Sequence, residues 1–201
     1  MNVYDFDKTI FDGDTEDYFF AYLFKVRRLP FYKLNYEWHE LLCRHKIAGK
    51  TFCRRADYRV LTQIEDIDTF LEEYWDEHEK FMMPWYFEVK QPDDLIATGT
   101  PRFLMEPIMR RLGLKNLIAT DMDRKTGRIN GRFLGAHLKV DVFNQQFPGQ
   151  KIDRFYSDTY SDHFLADIAD SAFLIEEDGT QTEWYQYFEQ HPEKKTIPYR
   201  Y

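Results

Sequence analysis

The chain has 201 residues, 43% hydrophobic and 31% charged, enough for one packed domain or one domain with a sizeable insertion, and too little for two full-sized ones. Its 27 Lys and Arg against 35 Asp and Glu leave a net charge of −8, so the basic footprint that a phosphate backbone demands is missing and nucleic acid is not expected as a partner. No apolar run approaches the roughly 20 residues that span a bilayer, the start MNVYDFDKTI lacks a basic and an apolar leader region, and two cysteines are too few for a disulfide framework, so a soluble, cytoplasmic protein with no membrane span is expected.

Taken in chain order, short apolar runs at 2–6 (NVYDF), 95–98 (LIAT), 117–120 (LIAT), 154–157 (RFYS) and 172–175 (AFLI) each read as a strand. Helix-like stretches separate most of them: 101–112, which opens on a proline and ends before Gly113, then 136–146 and 160–167. Strand and helix alternating in this way predict an α/β domain with a Rossmann-like parallel sheet. The exception is 17–88, which holds no convincing strand but has helical spacings such as Leu34, Trp38, Leu41 and Leu42, or Phe70, Leu71, Tyr74, Trp75 and His78. A crossover needs far less chain, so this segment is predicted to be a helical domain inserted after the first strand, with 1–16 and 89–201 forming the core. The turn residues within 126–133 (TGRINGRF) predict a hairpin. Cys43, His45 and Cys53 fit no zinc spacing and read as buried or half-buried helix positions.

Chemistry concentrates at strand ends. Asp5 and Asp7 follow the apolar lead of the first strand, which places two carboxylates at the carboxyl edge of the sheet, where open α/β folds bind ligands. Alone, such a pair could be a turn former. Asp158 and Asp162 follow the strand at 154–157 and bring two more carboxylates to the same edge. Four like charges at one edge call for a hard divalent cation with oxygen ligands, Mg²⁺ above all, which also binds phosphate oxygens.

These residues resemble the motifs of the haloacid dehalogenase-like superfamily, and within it the phosphoserine-phosphatase-like hydrolases with a helical cap between the first two motifs. The resemblance spans essentially the whole chain. Its first motif, DxDxT, is matched by Asp5, Asp7 and Thr9, its second by Thr98, and its fourth by Asp158 and Asp162. Two lysines compete for the third. Lys139 falls near the start of the helix leading into the fourth strand, at the catalytic edge, whereas six strand residues at about 3.3 Å each leave Lys151 roughly 20 Å away, which favours Lys139.

The resemblance implies that Asp5 attacks phosphorus, that Asp7 protonates the leaving alkoxide and then deprotonates water, and that Thr98 and Lys139 bind the phosphoryl oxygens. It implies Mg²⁺ held by Asp5, the Asp7 carbonyl and Asp158, with Asp162 in support. Thr9 and Gly99 are further candidates for substrate contact, and Arg54 and Arg55 could meet a substrate carboxylate or second phosphate. The chain departs from the pattern at Lys8, Thr98 and Ser157, and has Asp14 where phosphoserine-selective members place a glutamate that holds the substrate amino group. The expected activity is therefore a Mg²⁺-dependent phosphatase acting on a small phosphorylated metabolite. A phosphoserine or lipid-head-group phosphatase is the narrower alternative, and a catalytically silent phospholigand-binding module is the alternative from another class. A dehalogenase has no use for the second aspartate, Asp7. The aromatic density at 18–38 reads as the core of a small helical unit, or as an apolar lining for the leaving group.

Overall fold

The computed structural model describes residues 1–45 and 47–196, without the side chains of Lys50, Thr51, Arg55 and Ala136. It opens with β1 (Asn2–Tyr4) and then runs through α1 (Thr15–Val26), α2 (Pro30–Arg44), α3 (Lys50–Asp57), α4 (Ile67–His78) and α5 (Pro84–Val89) before the next strand. From there β2 (Leu95–Pro101), α6 (Arg102–Leu112), β3 (Asn116–Thr120), α7 (Ala136–Gln146), β4 (Ile152–Ser157), α8 (His163–Ala166), β5 (Ala169–Ile175), β6 (Gln181–Glu183) and α9 (Trp184–Gln190) follow. The six strands form one sheet in the order β3-β2-β1-β4-β5-β6, parallel except for β6.

The period of two in an extended chain distributes the core to both faces of this sheet. Tyr4, Ile96, Leu117, Tyr156 and Ile175 point to one face, where they join Phe19 and Phe20 of α1, Trp75 of α4, Tyr86 of α5 and the buried side of α6. Their neighbours Val3, Leu95, Ala97, Ile118, Phe155 and Leu174 point to the other, against Phe143 of α7, Leu165 of α8 and Trp184 and Phe188 of α9. Runs buried on both faces are what parallel strands require, and they explain why these strands read as unbroken apolar stretches. The helical insertion does not build a separate core. Its aromatic residues pack directly on the sheet face, and Trp75 Nε1 donates to the Leu104 carbonyl at 2.7 Å.

Local signals account for the boundaries. Asp14 caps α1, its carboxylate accepting from the Glu16 and Asp17 amides, and α6 stops at Gly113, which adopts φ +70°, a left-handed conformation that costs other residues more. The predicted first strand at 2–6 ends early: the Phe6 carbonyl accepts three turn bonds, from the amides of Thr9, Ile10 and Phe11, and so leaves the ladder. The stretch 160–167 is not one helix but a 3-10 turn at Tyr160–Asp162 followed by the short α8.

The hairpin expected at 126–133 survives only as one bridge between Met122 and Ile129. There the Asp123 carboxylate satisfies the amides of Lys125 and Thr126, which would otherwise seek a ladder. The same loop reaches the insertion: at Gly127 an added Cβ would lie 2.1 Å from the Tyr58 carbonyl oxygen. Cys43 and Cys53 are bonded to each other and tie α2 to α3, a pairing the cysteine count did not foretell.

Candidate active site

β1 lies at the centre of the parallel order, with β2 and β3 on one side and β4 and β5 on the other, so its carboxyl end opens onto the switch point where such sheets form a crevice. Asp5 sits just beyond Tyr4, held by its amide to the Tyr156 carbonyl at 2.8 Å. Its Oδ1 accepts a 2.8 Å bond from Lys139 Nζ, and the same ammonium donates to Asp162 Oδ2 at 2.9 Å. Lys139 projects from the first turn of α7, while Lys151, immediately before β4, is exposed at the other end of that strand. Burial pushes the Lys139 ammonium toward losing its proton, but the carboxylates of Asp162 and Asp5 outweigh it and hold the group charged. Asp162 is itself buried and accepts from Ser157 Oγ at 3.1 Å.

Asp7 is clasped by three donors. The Thr15 amide reaches Oδ1 at 2.7 Å, the Thr15 hydroxyl donates to the same oxygen, and Thr100 Oγ1 donates to Oδ2 at 2.8 Å. Burial raises the Asp7 carboxyl, helped by the charge of Asp14, to about 6 against the opposing hydrogen bonds. The neighbour that matters electrostatically is thus Asp14, and burial outweighs it. Asp5 is likewise raised, by burial first, with Lys139 opposing and Asp162 and Asp158 adding to the rise. Thr9 fixes the opposite loop, its Oγ1 accepting from the Asp158 amide at 3.0 Å.

Asp158 stands out. Its carboxylate takes no hydrogen bond or ion pair among the described residues, and burial together with the Asp162 charge pushes it up to about 7. The charges of Lys8 and Lys139 oppose that rise without contacting the carboxylate, and a half-buried acid with no direct partner beside Asp5 and Asp7 fits a cation. The donors on offer, two carboxylates and the Asp7 carbonyl, are the hard oxygens that Mg²⁺ takes while retaining water. Among the described residues no three His, Cys, Asp or Glu side chains form a metal cage. Beside Asp158 a cavity of about 700 Å³ is lined by Lys8, Thr159, Tyr160, Glu177 and Lys194, among others, which is room for a small metabolite.

Thr98, expected to close the second strand at 95–98, is buried midway along β2, which runs on to Pro101; its Oγ1 accepts from the Thr100 amide at 3.1 Å, and the Gly99 carbonyl accepts from Thr120 Oγ1. An added Cβ at Gly99 would press on the Leu134 carbonyl and the Phe133 ring, both at 3.3 Å. Arg54 is not a solvated helix charge: it is buried, with Nη2 3.0 Å from Glu16 Oε2, and Tyr58 donates to Glu16 Oε1 at 2.7 Å. Its Nε and Nη1 have no hydrogen-bond partner among the described residues. The Arg55 side chain lies outside the described residues. Sequence reasoning did not single out Thr15, Thr100, Glu16 or Tyr58. Thr15 and Thr100 carry no motif of their own and matter only because folding delivers them to Asp7.

The family model for haloacid dehalogenase-like hydrolases matches residues 3–167. The chain belongs to that family. No curated protein matches it. Among solved structures, a protein of unknown function from Bordetella pertussis Tohama I is similar at TM-score 0.72 and 21% identity, over 86% of this chain and 87% of that one. A phosphoserine phosphohydrolase-like protein from Francisella tularensis subsp. tularensis SCHU S4 is similar at TM-score 0.58 and 14% identity, over 89% and 88%. A phospho-aspartyl intermediate analogue of phosphoserine phosphatase is similar at TM-score 0.53 and 16% identity, over 85% and 83%. At these identities the likeness is one of fold, and it places this hydrolase-family chain on the same scaffold.

Proposed function

We propose that this hydrolase is a Mg²⁺-dependent phosphatase that cleaves a small phosphomonoester through an aspartyl-phosphate on Asp5. The observation that carries the reading is the pairing at one sheet edge of an acid held to a buried ammonium, Asp5 with Lys139, and an acid raised to about 6, Asp7. Bound Mg²⁺, held by Asp5, Asp158 and the Asp7 carbonyl, would supply positive charge that offsets these acids and the incoming phosphate.

In the first half-reaction a carboxylate oxygen of Asp5 forms a bond to phosphorus as the bond to the leaving oxygen breaks. Asp7, protonated, gives its proton to that oxygen. A pKa near 6 suits a group that must hold a proton and then accept one, since the best acid-base catalysts titrate close to the working pH. In the second half, Asp7 takes a proton from water, the water oxygen attacks phosphorus, and Asp5 is regenerated with release of inorganic phosphate. Thr15 and Thr100 keep the Asp7 carboxyl in one orientation throughout. Lys139 would stabilise charge on the phosphoryl oxygens, and Thr98 and the Gly99 backbone are the further contacts proposed for them.

The helical insertion, residues 17–88, is proposed as a cap that tells substrates apart. Arg54 and Arg55 of the insertion, with Asp14 just before it, are the candidate contacts with the leaving group. The unpartnered Nε and Nη1 of Arg54 are donors suited to an anionic group of the substrate. Asp14, one methylene shorter than a glutamate, need not fit phosphoserine, which is expected to rank below the best substrate. Phosphate release measured over a panel of phosphorylated metabolites, with Mg²⁺ and then with excess chelator, tests the proposal. Turnover undiminished by chelator would remove the metal, and no turnover on any compound would favour a binding module.

A further inference from the structure

We propose that the outer face of α2 docks on an anionic phospholipid surface. α2 runs Pro30–Arg44 and buries none of its residues fully. Its inner face is occupied: Tyr36 stacks on Phe20 with ring centroids 4.7 Å apart, His39 Nδ1 lies 2.5 Å from Asp57, and Cys43 is bonded to Cys53. The opposite face carries Phe31, Leu34, Trp38 and Leu41. At about 100° per residue these four fall within roughly 80° of arc, a continuous apolar stripe.

On a globular domain such a stripe normally faces the core, yet here Phe31 is 68% exposed, Leu34 65% and Trp38 57%. Ile47 and Phe52, in the turn after α2 and on α3, extend the exposed apolar surface beyond the helix. The sequence spacing that predicts a helix here is therefore real, but Phe31, Leu34, Trp38 and Leu41 point outward, while Tyr32 and Tyr36 pack against the buried core.

Charge selects the occupant. Residues 25–55 carry nine Lys or Arg against two Glu, a net +7 inside a chain of net −8, so all other residues together carry −15. Arg27 and Arg28 are exposed just before α2 and Lys33 and Arg44 on its flank; Lys33 pairs with Glu37, while Arg27, Arg28 and Arg44 make no ion pair among the described residues. A second copy of this chain would bring one positive surface against another, which opposes self-association through this face. A helix with Trp, Phe and Leu on one side, rimmed by Arg and Lys and too short to span, is the arrangement that lies in the plane of an anionic membrane surface. The acidic remainder of the molecule is repelled from such a surface, so the field also orients the protein, with the insertion toward the lipid.

The test is co-sedimentation of the full chain with vesicles of phosphatidylglycerol and phosphatidylcholine, and with vesicles of phosphatidylcholine alone, at low and at high salt. Binding is expected only with the anionic lipid and is expected to fall as salt rises. Trp38→Ser combined with Leu34→Ser should weaken the partition at least about tenfold. Arg27→Glu with Arg28→Glu should weaken it comparably at low salt. Both variants alter exposed residues, so circular dichroism and hydrolysis of p-nitrophenyl phosphate should match the parent. Failure of the parent to bind anionic vesicles at low salt overturns the proposal, as does binding that survives both variants. A parent dimer that Trp38→Ser with Leu34→Ser makes monomeric would also overturn it, and assign the face to contact between copies.

Discussion

Lys139 is the single cation between two buried acids, and Lys139→Met exposes what that position is worth. Its side chain is 7% exposed, against 11% for Asp5 and 3% for Asp162, with donor distances of 2.8 and 2.9 Å. Replacing a buried ammonium by an apolar side chain of similar length leaves two carboxylates facing each other without a counter-charge, a change that typically costs about 3–5 kcal/mol. In a chain of this size 1 kcal/mol moves the melting temperature by about 2–4 °C, so a fall of roughly 6–20 °C is expected for the metal-free protein at pH 7.5.

The loss has a pH signature. The folded-state pKa of Asp5 is already raised above its ordinary value, and removing Lys139 takes away the charge that opposes the rise, so the acid can escape repulsion by protonating. A group whose pKa is raised on folding favours the folded state at low pH and opposes it as pH climbs through the folded value. The gap between variant and parent should therefore narrow from pH 7.5 to pH 5. Lys139→Met with Asp5→Asn should melt above Lys139→Met alone, because one of the two charges is gone. Scanning calorimetry or circular dichroism over that pH range measures all of this. A variant melting within 2 °C of the parent at pH 7.5, or a gap that does not depend on pH, would refute the view of Lys139 as a buried counter-ion. Turnover should drop about 100-fold or more with Lys139→Met, and Lys151→Ala, which changes an exposed residue before β4, should leave both quantities alone.

Other outcomes test the rest of the site. With Asp7 near 6 and needed in its protonated form, kcat/KM for an alkyl phosphate should decline as pH rises above about 6, and Asp7→Asn should abolish most of that activity while sparing p-nitrophenyl phosphate more; parallel losses on both substrates would remove the acid role. Asp14→Asn keeps a competent helix cap and drops the charge, so it should reorder substrates without lowering stability, whereas Asp14→Ala should also cost about 1 kcal/mol in thermal unfolding. Gly127→Ala combines a left-handed backbone at φ +68° with a Cβ driven against the Tyr58 backbone, so it should separate the loop from the insertion and destabilise the fold by about 2 kcal/mol or more, read by chemical denaturation; an unchanged midpoint would mean the loop moves aside freely.

The amino-acid sequence by itself determined the parallel sheet, because strands buried on both faces must be apolar without interruption, and 95–98, 117–120 and 172–175 are. It also determined that Asp5, Asp7 and Asp158 sit at one edge, since all three follow strands running the same way, and strand direction alone separates Lys139 from Lys151. What only the tertiary structure decided concerns contacts between segments far apart in the chain. Thr100 meets Asp7 across 93 residues and Arg54 meets Glu16 across the insertion, and neither pair leaves a local pattern. The bridge between Cys43 and Cys53 closes over only 10 residues, yet it too depends on how α2 and α3 are placed and not on the cysteine count. The face of α2 is the sharpest case. Periodicity states that a helix has an apolar side, but burial depends on which side finds a partner, and here the ring stack of Tyr36 on Phe20 turned Phe31, Leu34 and Trp38 toward solvent. A local pattern carries the geometry of one element, while the choice between its two faces is a property of the whole packed chain.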